Sequence, residues 1–324
     1  MFLKKLFLIL LAFFPLNVLA YSNEIYVGGE NIGIELKSNG VLIVGTYEVE
    51  GHFPANDAGF KTGDLILEID NQKISSIDDM ALAINNSSSD EVRVKFTRSD
   101  SLKSTKLKLY KDNSGVFKTG LFVRDKVLGI GTLTFVDPKT KLYGALGHEI
   151  IEQSTNKIFD TKDGSIFKSS VKGVIPSSNG NPGEKKAEFD TDSIIGSVKE
   201  NTTQGIFGRF NNDLTNYKLY KVMEKSMVSP GPAKILTVLD GDITSEFDIN
   251  IIQISDDDSK NKNFIFEIVD KNLLKQTNGI IQGMSGSPII RDDYVIGAVT
   301  HVVVNDPHKG YGIFITNMLE EAEN

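Results

Sequence analysis

Gly283-Met284-Ser285-Gly286-Ser287-Pro288 is the stretch on which the fold turns. A serine between two glycines, closed by a proline, predicts a tight turn. Such a turn points the Ser285 hydroxyl outward and brings backbone N–H groups toward one spot, as an oxyanion hole requires. The flanking glycines and the offset to Pro288 favour Ser285 over Ser287 as the reactive hydroxyl. An apolar run, a polar turn and Val295-Ile296-Gly297-Ala298-Val299 come next.

A serine hydroxyl is a poor nucleophile until a base takes its proton. The chain has four histidines, His52, His148, His301 and His308. His52 falls in a surface loop of an N-terminal module, His308 lies in the turn-like Asn305-Asp306-Pro307-His308-Lys309-Gly310, and His301, in the strand after the serine segment, fits a wall of the site rather than its base. His148 remains, in Gly144-Ala145-Leu146-Gly147-His148-Glu149, after a strand-like Gly131-Thr132-Leu133-Thr134-Phe135 and a turn at Asp137-Pro138. A structural histidine is the competing explanation for it.

Upstream, Ala58-Gly59-Phe60-Lys61-Thr62-Gly63-Asp64-Leu65-Ile66-Leu67-Glu68-Ile69-Asp70-Asn71 predicts a turn, an alternating strand and a second turn. Ser76 with Asp79 three residues on predicts a helix start, with Met80 and Ile84 on its apolar face. A strand closes the segment over 92–96. Residues 111–117 are rich in turn formers and predict a linker. Beyond them, strand-like runs at 121–123, 131–136, 235–238, 249–254 and 264–269 alternate with polar turns, so an all-β barrel pair is expected. Helical periodicity is confined to 217–227 and the C-terminal tail. Residues 176–183 predict an exposed loop. The run Asp256-Asp257-Asp258 predicts a solvated turn, with a calcium site as the alternative.

Composition narrows the function classes. At 324 residues, two domains with a core each are expected. A net charge of -8 leaves no basic stripe for phosphates, so nucleic acid is not an expected partner. The absence of cysteine removes disulfides, thiol catalysis and thiolate metal sites. No metal or cofactor is expected. Lys4 and Lys5, an apolar run over 6–16 and Val18-Leu19-Ala20 predict an export signal over 1–20, with an uncleaved membrane anchor as the alternative.

The segment 24–110 resembles a bacterial PDZ domain, which implies peptide binding by strand addition. The resemblance puts its carboxylate loop at Ile32, Gly33 and Ile34. The serine segment and the strand-like run after it resemble the nucleophile region of chymotrypsin-like and HtrA-like peptidases. The string 279–288, Gly297-Ala298-Val299-Thr300-His301-Val302, 129–135 and 143–148 resemble the stage IV sporulation protein B peptidase family in particular. That resemblance implies a PDZ domain followed by a chymotrypsin-like double β-barrel over 118–324, and a mainly β protein. It implies a triad of His148, Asp270 and Ser285, with Asp190 and Asp192 as other candidates for the acid. Gly283 and Ser285 would supply the oxyanion N–H groups, and Thr300 and His301 the edge that pairs with substrate.

It further implies a sporulation-regulating serine endopeptidase outside the mother-cell membrane, facing the forespore. Such an enzyme cleaves itself, then cuts an extracytoplasmic segment of a membrane signalling complex and so triggers a late sigma factor. Its PDZ ligand would be a peptide, its own N-terminal region or a partner's tail. An HtrA-like quality-control protease and a non-catalytic PDZ binding protein are the alternatives.

Overall fold

The computed structural model describes residues 21–255 and 261–324. The export segment and the aspartate run expected as a turn lie outside the described residues. In chain order come β1 (Glu24–Val27), a long β2 (Asn31–Thr46), α1 (Pro54–Asp57), β3 (Leu65–Ile69), α2 (Ile77–Asn85), β4 (Glu91–Arg98) and β5 (Ser101–Lys108). Next are β6 (Leu121–Val136), β7 (Leu142–Ala145), β8 (Asp163–Ile175), β9 (Glu184–Thr202), β10 (Gly205–Phe210) and β11 (Lys218–Val222). The chain ends with β12 (Gly231–Val238), β13 (Thr244–Ile254), β14 (Phe264–Ile268), α3 (Lys271–Thr277), β15 (Pro288–Arg291), β16 (Tyr294–Val302), β17 (Lys309–Phe314) and α4 (Ile315–Ala322).

Two closed barrels of the same topology emerge from the strand pairing. Around the first, the order is β2, β6, β7, β10, β9, β8 and back to β2. Around the second it is β12, β13, β14, β17, β16, β15 and back to β12. Each is a six-stranded antiparallel barrel in which the third strand pairs with the sixth. The protein is therefore mainly β, with a chymotrypsin-like pair of barrels. Period-two burial explains the strands: in β14, Phe264, Phe266 and Ile268 point inward while Ile265 and Glu267 do not. The second core gathers those residues with Ile235, Ile249, Met284, Ile289 and Phe314.

The PDZ fold is present, and two long strands run from its core into that of the first barrel. Ile32, Ile34 and Leu36 of β2 belong to the first barrel's core, whereas Val41 and Ile43 of the same strand belong to the PDZ core. Likewise Leu121 at the start of β6 is a PDZ core residue, and Leu133 near its end is a barrel residue. The PDZ module is thus inserted between the first and second strands of the first barrel, and both strands run through the two cores. Ser76 caps α2, its hydroxyl accepting the Asp79 N–H at 3.1 Å. One further expectation changes. The 217–227 stretch forms β11 and a short 3-10 turn rather than a helix, because β11 pairs with β1 and β16. Residues 176–183 form a mostly exposed loop, as expected, and hydrogen bonds from Ser177, Gly180 and Gly183 tie it to Ile280, Val304 and Gln282.

Candidate active site

The turn at 283–287 is built as its glycines predict. Gly283 and Gly286 have φ of +91° and +88°, a region that favours glycine. A Cβ at Gly286 would meet the Thr132 carbonyl oxygen at 2.2 Å. Within the turn and the start of β15, Ser285 reaches solvent, whereas Ser287 is fully buried, 3.4 Å from the Thr132 hydroxyl. Of the two serines, only Ser285 is open to solvent.

Strand β6 holds the turn from the other barrel. Thr132 donates its N–H to Ser285 O at 2.9 Å and its hydroxyl to Gly283 O at 2.9 Å. Thr134 donates its hydroxyl to Gly286 O at 2.7 Å. Within the turn, the N–H groups of Met284, Gly286 and Ser287 are committed to Ile281, Val299 and Met284 carbonyls. Among the described residues, the N–H groups of Gly283 and Ser285 donate to no protein acceptor. Two uncommitted donors beside an outward hydroxyl suit a developing oxyanion.

His148 comes after a left-handed turn, with Leu146 at φ 68° and Gly147 at φ 70°. A Cβ at Gly147 would meet Thr300 Cγ2 at 2.9 Å, so this turn lies against β16. The His148 ring stands 4.9 Å from the His301 ring, and the Ser285 hydroxyl donates to Thr300 O at 2.9 Å. Thr300 and His301 therefore join the serine and histidine segments. His148 Nδ1 is 2.8 Å from Glu149 O. As a donor there it leaves Nε2 free to act as a base. Burial pushes the His148 pKa below its ordinary value, and the bond to Glu149 O and the Glu149 charge oppose that shift. His301 is pushed down to about 3, first by burial, then by the charges of His148 and Lys262.

The expected acid is engaged in a helix cap. Asp270 is the N-cap of α3, where its Oδ1 accepts the Asn272 and Leu273 N–H groups at 2.9 Å each, and no hydrogen bond joins it to His148. Asp190 accepts the Ser193 hydroxyl and the Asp192 N–H within β9, where Asp190 and Asp192 are both exposed. Glu149, which the sequence reasoning passed over, is the carboxylate whose charge acts on the His148 ring among the described residues. Its signal was only its place next to the histidine.

Ile32, Gly33 and Ile34 are corrected as a carboxylate loop. They lie mid-strand in β2, paired with β6 on one side and β8 on the other, so no backbone edge is open there. The strand beside α2 is instead the first part of β6, and Ile77 N–H donates to Asp125 Oδ2 at 2.8 Å. His52 stacks on Tyr110 and His308 gives its carbonyl to Ile268 N–H, both outside the site.

The tip between β8 and β9 straps the walls of the site. Ser177, 3% exposed, donates its hydroxyl to Ile280 O at 2.6 Å and accepts the Gly183 N–H at 3.0 Å. Gln282 N–H donates to Gly183 O, and Gly180 N–H donates to Val304 O. The strap thus joins the segment before Ser285 to the segment after His301.

A family model of SpoIVB peptidase S55 matches residues 115–319, and a PDZ domain model matches residues 31–109. No curated protein matches the chain. Among solved structures, the PDZ domain of an SdrC-like protein from Listeria monocytogenes is 24% identical, over 27% of this chain and 90% of that one, with a TM-score of 0.24. The inactive form of the Rv3671c protease of M. tuberculosis is 11% identical, over 60% of this chain and 85% of that one, with a TM-score of 0.36. Human heparin binding protein is 7% identical, over 59% and 83%, with a TM-score of 0.31.

Proposed function

The chain belongs to the SpoIVB peptidase S55 family and is a serine peptidase with a PDZ domain, and from that premise we propose that Ser285 is its nucleophile and His148 its base. The observation that carries this is the pair of uncommitted N–H groups, Gly283 and Ser285, beside the one residue of the turn that reaches solvent. In the resting arrangement the Ser285 hydroxyl is held by Thr300 O, so attack begins with rotation of Oγ toward His148 Nε2. Oγ adds to the scissile carbonyl and its proton passes to Nε2, while the carbonyl oxygen gains charge facing the two N–H groups. The same proton then goes to the leaving amine, and water repeats the sequence to release the acyl group. Glu149 O fixes the imidazole tautomer through Nδ1. His301, partly exposed beside the buried Thr300, receives the substrate backbone at the end of β16.

On the same proposal the enzyme is exported and acts outside the cytoplasm. It first cleaves its own N-terminal region and then an extracytoplasmic segment of a membrane signalling complex that governs a late sporulation sigma factor. A peptide is taken up by the PDZ module along the groove of α2 and the first part of β6. Family membership supports these roles. Intact-mass spectrometry of the full chain and of Ser285→Ala, each checked for folding by circular dichroism, is the test. N-termini shortened further in wild type than in Ser285→Ala are expected. A self-cleavage product beyond residue 20 that also forms in a folded Ser285→Ala protein removes Ser285 from the chemistry, and equal masses with no such product remove self-cleavage.

A further inference from the structure

Behind the oxyanion turn lies a lysine that none of these steps uses. Lys185, near the start of β9, is 2% exposed. Its backbone N–H donates to Gln282 O at 2.9 Å. Its Cγ and Cδ would come within 3.2 and 3.1 Å of a Cβ on Gly283, so its stem lies flat against that glycine. Two bonds beyond Cδ, Nζ donates to the Thr237 hydroxyl at 2.9 Å, and Thr237 is itself fully buried.

No ion pair reaches this amine among the described residues. Across from it on β8 is Val174, and on β12 Thr237 lies between Leu236 and Val238. Gln282 precedes the turn that Gly283 and Met284 open, and the strand neighbours of Lys185, Glu184 and Lys186, are exposed on the opposite face. A buried ammonium without a carboxylate is costly. An anion that appears only in the transition state would offset that cost at the moment it speeds the reaction.

We propose that Lys185 is a positioning residue of the oxyanion turn, its stem fixing Gly283 and its ammonium supplying positive charge behind the Gly283 and Ser285 N–H groups. The proposal rests on the assignment of Ser285 and those donors as nucleophile and oxyanion hole. Burial lowers the Lys185 pKa to about 7, so the charge is present below that pH and is lost above it. His148 must be neutral to act, which sets the acid limb. The two groups together give a bell-shaped profile.

A fluorophosphonate probe reads this on the full chain without knowledge of the substrate. Ser285 Oγ forms a bond to phosphorus, fluoride leaves with the P–F electron pair, and the hydroxyl proton passes to His148. Labelling rates are measured from about pH 5 to about pH 9. Wild type is expected to slow by about tenfold above neutrality, a smaller effect than loss of a direct oxyanion donor. Lys185→Met is expected to react about tenfold more slowly at its optimum and to lack the alkaline limb, whereas Lys185→Arg keeps its rate to the alkaline end. A wild-type rate that stays flat from neutrality upward, or wild-type behaviour in a folded Lys185→Met protein, overturns the proposal. If Lys185→Met does not fold, the wild-type profile and Lys185→Arg decide it. Labelling of Ser285→Ala, or none in wild type, overturns the underlying assignment instead.

Discussion

Two histidines in contact make this site sensitive to acid in a predictable direction. His148 and His301 both have pKa values lowered by burial, that of His301 to about 3. In the unfolded chain each titrates near 6.5. Between about 6.5 and about 3 the unfolded state therefore binds more protons, and stability falls as the pH falls through that window. One fully buried neutral histidine contributes a slope of at most about 1.4 kcal/mol per pH unit, and partial exposure of these rings reduces it. Thermal melts at pH values through that window are expected to show a falling Tm in wild type and a shallower fall in His301→Gln. An identical slope in the variant would mean that His301 does not contribute to the acid limit.

At the scale of elements, α3 shows how one residue can fit two roles on sequence and only one in the fold. The family resemblance places a triad acid at Asp270, although it lies much nearer Ser285 than in chymotrypsin-like chains, yet an aspartate before Lys271-Asn272-Leu273-Leu274 is also a good N-cap. The structure gives it the cap, with both hydrogen bonds on Oδ1. Asp270→Ala is expected to cost about 1 kcal/mol in urea unfolding, while Asp270→Asn, itself a good cap, stays within a few tenths. Fluorophosphonate labelling is expected to survive in both. A folded Asp270→Asn protein that no longer labels would return Asp270 to the catalytic group. The strap and the serine turn differ in legibility for a related reason. Glycines at 283 and 286 are demanded by backbone geometry, so the turn is readable from residue identity. Residues 176–183 pack through backbone carbonyls and the Ser177 hydroxyl, which leave no apolar period. A polar string that reads as an exposed loop can therefore be tied down at both ends.

For the whole molecule, the strand that carries a ligand groove also carries the catalytic buttress. β6 lies beside α2 at its start and holds Gly283, Ser285 and Gly286 through Thr132 and Thr134 further along. Period-two alternation reveals that such residues form strands, but it is the same in both halves of β2 and β6. It does not say which core each half enters, so the insertion was invisible in the sequence. The fold now makes a test of its own. A fragment of residues 24–110 exposes Ile32, Ile34 and Leu36, which belong to the barrel, and lacks Leu121 and the backbone partners of Leu42, Ile43, Gly45 and Thr46. A fragment of residues 38–125 keeps the whole PDZ core and both of its shared strand ends. It is expected to melt cooperatively, with dispersed amide resonances, while 24–110 is less stable by at least about 2 kcal/mol, the value of burying one leucine side chain. Equal stability of the two fragments would mean that the PDZ module closes without β6, and that a peptide bound beside α2 has no shared strand through which to reach Ser285.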